Sequence, residues 1–306
     1  MPTQPADADS AGWTRKTRYN LGVLRDRLLL GPLLIAVVFG VFWLDERIAG
    51  LMLGDMTLPP GTAFTPTLLI LLGFTAWEVT RMLRDNGVEA STVVNVIAMA
   101  LGLLSTALSD VSGIAVASAS VAVLLISLGV FAKRKTFEGV VASTGGAQLV
   151  FVYLGILGGF WVLLIGAYGP WVGLWVLCIT KSCDIGAYFT GRWFGRHKLA
   201  PWLSPGKTQE GLLGGVLFSA AIAMLGMLLL RTVDAAPPIS ILGSAFVGAA
   251  TGLLGQVGDL IASLLKRDAG RKDASRSLPG FGGWLDVLDS PLLVGVAAYW
   301  CLQLVA

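Results

Sequence analysis

The sequence predicts an all-α fold: a polytopic integral membrane protein of about nine transmembrane helices, N-terminus in the cytoplasm and C-terminus outside. Three observations carry that prediction. Of the 306 residues 55% are hydrophobic and only 13% charged, with a mean hydropathy of +0.76, whereas a soluble domain carries about 25% charged residues. Windows of about 20 apolar residues, enough to cross the hydrocarbon core, recur from one end of the chain to the other. All of the 22 Lys and Arg except Arg47, Arg231 and Lys181 fall on one side of those windows, which the positive-inside rule assigns to the cytoplasm.

Residues 1–20 are polar and rich in Pro, Ala and Asp, the composition of a disordered cytoplasmic tail. The remainder, 21–306, reads as a single membrane domain because only short polar joints separate its apolar windows. The first window, 28–45, ends in WLDER rather than a small-residue cleavage site, so it is a retained span and not a signal peptide. Windows at 65–83 and 91–108 follow, the former closed by Arg81 and Arg84. The fourth, 113–131, runs into Lys133, Arg134 and Lys135, and the fifth lies at 147–166. The sixth, 171–190, precedes Arg192, Arg196, Lys198 and Lys207, and the seventh lies at 211–230. The eighth, 240–265, opens onto Lys266, Arg267, Arg271, Lys272 and Arg276, and the last is 284–305. With an odd number of spans the two termini lie on opposite sides.

A net charge of +3 gives no footprint for nucleic acid. Cys178, Cys183 and Cys301 sit in apolar runs without a neighbouring His or Cys cluster, so neither a disulfide framework nor a zinc site is indicated. Most of the 39 glycines suit close helix packing in lipid.

Charge inside the membrane is the informative departure, since each buried carboxylate costs about 2.5 to 3.5 kcal/mol to insert. Asp184 lies three residues after Lys181, on one helical face, and the pair is read equally well as a salt bridge or as part of a site. Gly252, Gly255, Gln256, Asp259, Ser263 and Lys266 follow at steps of three and four, a small or polar stripe that cannot face lipid. Asp286 and Asp289 are spaced i, i+3 at the start of the last span, where a helix N-terminus favours anions. Glycines 280, 282 and 283 precede them and permit tight turns. Asp259, Asp286 and Asp289 are hard oxygen ligands of the kind Mg²⁺ takes together with substrate phosphates.

A second anion signature is SPGKTQEG. It is not a Walker A loop, because Pro201 stands where a glycine is required and no strand is expected before it. Lys207 and Thr208 beside a helix N-terminus still suit an anion. His197, the single histidine, reads as a solvated loop residue, and Glu78 in AWEVTRML as a residue that snorkels or pairs with Arg81.

The run from Gly255 to Ser290 resembles the signature of the phosphatidate cytidylyltransferases, which carries Ser, Lys-Arg, Lys-Asp, Pro-Gly-His-Gly-Gly and Asp-Arg-x-Asp in that order. Ser263, Lys266, Arg267, Lys272, Asp273, Ser275, Pro279, Gly280, Gly282, Gly283, Asp286 and Asp289 match. DIGAYFTGRWFGRHKLAPWLSPGKTQEG is similar to a second block of that family, and AWE at 76–78 to a weaker third. Phe281 replaces the family histidine and Val287 the arginine.

The resemblance implies a Mg²⁺-dependent enzyme, with one metal ion or two, that makes CDP-diacylglycerol and pyrophosphate from CTP and phosphatidate. It further implies a homodimer among membrane lipids, in a bacterial-type inner membrane, with its site on the cytoplasmic face. On this resemblance Asp259, Asp286 and Asp289 hold metal, and Lys266, Arg267 and Lys272 contact the triphosphate or the leaving pyrophosphate. Lys207 with Ser204 contacts phosphate or headgroup, while Ser263, Asp184 and Asp273 support them. Arg276 is expected to replace the charge lost at Val287. Two other functions remain open at this stage: a CTP-dependent polyprenol or phytol kinase, and a secondary transporter. The kinase needs a base for an alcohol, and a transporter usually shows repeated halves, which this chain lacks.

Overall fold

A computed structural model describes residues 8–108, 113–134 and 137–306, with only the backbone described for 8–27 and for Arg134. Lys135 and residues 1–7 therefore lie outside the described residues. Helix α1 (Ala8–Ile48) begins well before the first apolar window. Pro2 and Pro5 precede it and no proline interrupts 8–20, so nothing local stops the helix from extending back through most of the stretch expected as a tail. Its C-terminal end is tied down by Asp45, whose buried carboxylate accepts hydrogen bonds from the amides of Gly61 and Ala63, both at 2.6 Å. Those amides lead into α2 (Phe64–Asp85), past a two-residue hairpin of β1 (Met52–Leu53) and β2 (Met56–Thr57).

Helices α3 (Thr92–Ala107) and α4 (Ile114–Arg134) follow. Next, α5 (Val140–Val150), a π-helical turn at Phe151–Ile156 and α6 (Leu157–Tyr168) form one continuous rod. α7 (Pro170–Phe194) leads to a second hairpin, β3 (Lys198–Ala200) and β4 (Ser204–Thr208), and then to α8 (Gln209–Thr232), α9 (Ile241–Asp268) and α10 (Trp284–Val305). Every expected window thus holds a helix, and the prediction needs two amendments.

First, on length and composition alone seven helices among the described residues qualify to cross a membrane; α2 and α3 do not qualify by themselves. α3 has 16 residues, about 24 Å at 1.5 Å per residue and short of the ~30 Å hydrocarbon core. α2 is long enough, but Glu78, Arg81 and Arg84 dilute its last two turns. Second, the chain is not purely helical. Strand β4 contains Lys207 and runs directly into α8, so a strand does precede that helix, contrary to the sequence reading.

The main core runs through α2, α3, the α5–α6 rod and α7 to α10, with α7, α8, α9 and α10 packed closely around one another. Small residues set the spacing. A Cβ placed on Gly258 of α9 would lie 2.7 Å from the carbonyl oxygen of Asp289 in α10, closer than side chains tolerate, so glycine there lets the two backbones touch. That contact brings the turn carrying Asp259 against the turn carrying Asp289.

Candidate active site

Each charged residue of the site is presented by a helix or strand fixed by packing. On α9, the predicted polar stripe is confirmed as an inward face: Gly252, Gly255, Gln256 and Lys266 are buried, and Asp259 and Ser263 are half-buried. On α10, Asp286 occupies the first turn, where its Oδ2 accepts from the amides of Gly283 and Ala274, both at 2.8 Å. Its Oδ1 takes the ammonium of Lys266 at 2.7 Å. The same ammonium lies 3.8 Å from Asp289 Oδ2, while Asp289 Oδ1 accepts from the amide of Ser290 at 2.7 Å.

The contacts continue around a ring. Asp259 and Asp289 are within electrostatic reach of one another. Asp259 Oδ2 pairs with Lys207 of β4 at 2.8 Å, and Lys207 also donates to the carbonyl of Gln256 at 3.3 Å. Gln256 donates from Nε2 to Asp184 Oδ1 on α7 at 2.8 Å, and Asp184 Oδ2 lies 3.7 Å from Lys181 Nζ. Lys181 then reaches back to α10, 3.5 Å from the carbonyl of Val287. Three lysines and four aspartates from α7, β4, α9 and α10 are therefore gathered in one place.

The ring takes in Asp184, Lys207, Asp259, Lys266, Asp286 and Asp289 from the candidates named by sequence. Ser204 is half-buried on β4, where it pairs with Ala200. Ser263 is half-buried between Asp259 and Lys266. Arg267, Lys272 and Asp273 are exposed at the end of α9 and on the loop after it, with Arg267 donating to the carbonyl of Arg271 at 3.2 Å. Arg276 is exposed on that loop, and Arg271 is committed to Asp85 and to the carbonyl of Ala274. Lys181 Nζ stands 3.5 Å from the carbonyl of Val287. The ring of Phe281 ends next to Gly31 of α1, so the residue in the histidine position packs toward a neighbouring helix.

Glu78 is a correction to the sequence reading. It does not pair with Arg81, whose guanidinium lies over the ring of Trp77 at 4.9 Å. Glu78 is fully buried and accepts from Ser275 Oγ at 2.6 Å and from the amides of Trp284 and Leu285 at 3.0 Å. It thus caps α10 from over two hundred residues away, satisfying amides that a helix start leaves free. Stacking of Phe74 on Trp284, centroids 5.5 Å apart, reinforces the same junction. Sequence reasoning missed it because a cap supplied by a distant helix leaves no local spacing; the AWE resemblance was the one available signal.

The arrangement bears on a metal ion. Both oxygens of Asp286 are occupied by Lys266 and by loop amides, and among the described residues no group of three or more His, Cys, Asp and Glu is placed to hold an ion. Asp259 and Asp289 remain as a pair of neighbouring carboxyl groups whose close cations are Lys207 at 2.8 Å and Lys266 at 3.8 Å. That donor set suits Mg²⁺, which is commonly held by one or two carboxylates and completed by substrate phosphates. At the hairpin, the N-terminus of α8 is filled by the chain itself: Thr208 Oγ1 accepts from the amide of Gly211 at 3.1 Å, and Glu210 binds His197 at 2.6 Å.

Comparison with known proteins follows this geometry. A model of the cytidylyltransferase family matches residues 27–305. The phosphatidate cytidylyltransferase of Bacillus subtilis is 33% identical over 184 residues, covering 59% of this chain and 65% of the relative. That of Chlamydia pneumoniae is 34% identical over 180 residues, covering 56% and 58%. The uncharacterized protein YnbB of Escherichia coli is 38% identical over 136 residues, covering 44% and 43%. The matched stretches thus span between two fifths and two thirds of these relatives.

Proposed function

The chain belongs to the cytidylyltransferase family, and from that premise we propose that it is a phosphatidate cytidylyltransferase, converting CTP and phosphatidate to CDP-diacylglycerol and pyrophosphate for phospholipid synthesis. The observation that carries this reading is the ring of three lysines and four aspartates joining α7, β4, α9 and α10. Two polyanions must meet for the reaction, and a cluster of fixed ammonium groups with a carboxylate pair for a divalent ion offsets their repulsion. The names of the Bacillus and Chlamydia relatives support the substrate pair.

In this reading an oxygen of the lipid phosphate attacks the α-phosphorus of CTP. The bond from that phosphorus to the β-phosphate oxygen breaks, and its electron pair leaves on pyrophosphate. A phosphomonoester has its second pKa near 6, so the nucleophile is already largely ionised at neutral pH and needs no base. Phe281 is compatible with that, since the step asks nothing of a histidine. Asp259 and Asp289 would hold Mg²⁺, which when bound supplies positive charge to the phosphates. Lys207 and Ser204 on β4 approach the phosphate from the hairpin side, and Arg267 and Lys272 neutralise the triphosphate at the mouth, with Ser263 and Asp273 beside them. Asp286 orders Lys266 and the glycine loop, and Asp184 orients Lys181.

The concentration of Lys and Arg on one side of the helices supports a site on the cytoplasmic face, and the bacterial relatives support a bacterial-type inner membrane. All nine helical rods then count as spans in one membrane domain, with α2 and α3 sheltered by their neighbours, the N-terminus inside and the C-terminus outside. The test is transfer of label. With CTP labelled in the cytosine ring, Mg²⁺ and phosphatidate, the ring label is expected in the lipid phase. Transfer of label from the γ-phosphate instead would make the protein a CTP-dependent lipid kinase and overturn the proposal.

A further inference from the structure

Among the three lysines of the ring, two are tightly held and one is not. Lys266 lies 2.7 Å from Asp286 with 9% of its side chain exposed, and Lys207 lies 2.8 Å from Asp259 with 18% exposed. Lys181 has a carboxylate at 3.7 Å and a carbonyl at 3.5 Å, and 44% of its side chain is exposed. An ammonium has three donors, and two long contacts leave Lys181 with unspent capacity. Nor is it needed to satisfy Asp184, whose other oxygen already has the amide of Gln256 at 2.8 Å. A lysine set within a span at a cost of about 2.5 to 3.5 kcal/mol, and then held loosely, is placed for a ligand that arrives later.

Its location is specific. The carbonyl it touches belongs to Val287, between Asp286 and Asp289, where the Asp-Arg-x-Asp pattern has arginine and this chain has no charge. We propose that Lys181 is the mobile phosphate-binding cation of the site, supplied by α7 in place of the arginine absent from α10. It rests on the reading of the ring as a phosphate-handling site. The ligand is a phosphate oxygen, carried either by the nucleoside triphosphate or by the lipid phosphomonoester. Lys207 and Lys266, each held by a close carboxylate, meet phosphate from fixed positions.

The full chain in detergent tests this with Lys181→Met, Lys181→Gln, Lys181→Arg and Lys181→Met/Val287→Arg. The rise in Tm on adding CTP with Mg²⁺, or separately short-chain phosphatidate, reads binding without turnover, and KM and kcat are measured alongside. Lys181→Met and Lys181→Gln are expected to lose most of the shift for one of the two ligands and to raise its KM at least tenfold, with a smaller change in kcat. Which ligand is affected identifies the phosphate. Lys181→Arg should retain the shift, and adding Val287→Arg to Lys181→Met should restore much of it. Wild-type shifts for both ligands in Lys181→Met and Lys181→Gln would overturn the proposal, as would the double variant behaving no better than Lys181→Met. If the wild type binds both ligands but makes a different product, the reaction assignment falls while the Lys181 comparison still decides this point.

Discussion

At the scale of single residues, the aspartates divide their labour by what already occupies their oxygens. Asp286 is spent on Lys266 and on two loop amides, whereas Asp259 has one close cation, Lys207 at 2.8 Å, and Asp289 Oδ2 has its nearest cation, Lys266, only at 3.8 Å. Asp259→Asn and Asp289→Asn are therefore each expected to lower turnover at least a hundredfold while the protein still inserts and folds, because removing one charged ligand cripples a two-carboxylate site. Near-normal turnover of Asp259→Asn would make the polar stripe structural. Asp286→Asn should act differently: it leaves Lys266 buried without its close partner, at a cost of about 3 to 5 kcal/mol, visible as a lowered Tm as well as lost activity. Glu78→Gln removes the charge that caps α10 and should cost about 1.5 to 3 kcal/mol, with His197→Gln nearly silent as a control. The acidic positions of the site were legible in sequence because a carboxylate in an apolar window has to be explained. Their partners were not, since Lys207 finds Asp259, and Lys181 finds Val287, only after four elements converge.

At the scale of elements, hydropathy fixed where helices lie but not how far they extend. The fifth window, expected at 147–166, becomes a rod from Val140 to Tyr168 with a π-helical turn inside it. That turn accompanies a close approach: a Cβ on Gly155 would lie 2.6 Å from the carbonyl of Met99 in α3. Such fits depend on two helices at once and have no signature in either alone. Pro201, Pro205 and Gly206 leave the hairpin β3–β4 without a strand pattern in sequence, yet antiparallel pairing of Lys198 with Thr208 aims Lys207 at α9. The contact at Gly258 joins α9 to α10 beside Asp259 and Asp289. Gly258→Val is expected to push α9 from α10, separate Asp259 from Asp289, and abolish turnover in a protein that still inserts. A Gly258→Val variant with wild-type turnover would show that the backbone contact does not set the site.

At the scale of the whole molecule, the fold class was readable because lipid imposes a simple rule on composition, and the family because its charged motif is dense and ordered. The number of helices able to span was less so, since α2 and α3 meet lipid only in part and gain their burial from neighbours. The charge asymmetry predicts a topology that can be checked directly. In a background lacking native cysteines, Lys272→Cys should resist a membrane-impermeant maleimide in intact cells and react after permeabilisation, while Leu53→Cys reacts in both; the reverse pattern would invert the proposed orientation. The account as a whole stands on the claim that the lysine–aspartate ring transfers a cytidylyl group to a lipid phosphate. The most direct test is mass analysis of the lipid and assay of pyrophosphate after purified protein is incubated with CTP, Mg²⁺ and phosphatidate, beside the Asp289→Asn variant. The account predicts phosphatidate gaining one cytidylyl group, one pyrophosphate released per lipid converted, and both products formed at least a hundredfold more slowly by Asp289→Asn; lipid that gains a lone phosphate, or turnover undiminished in Asp289→Asn, would contradict it.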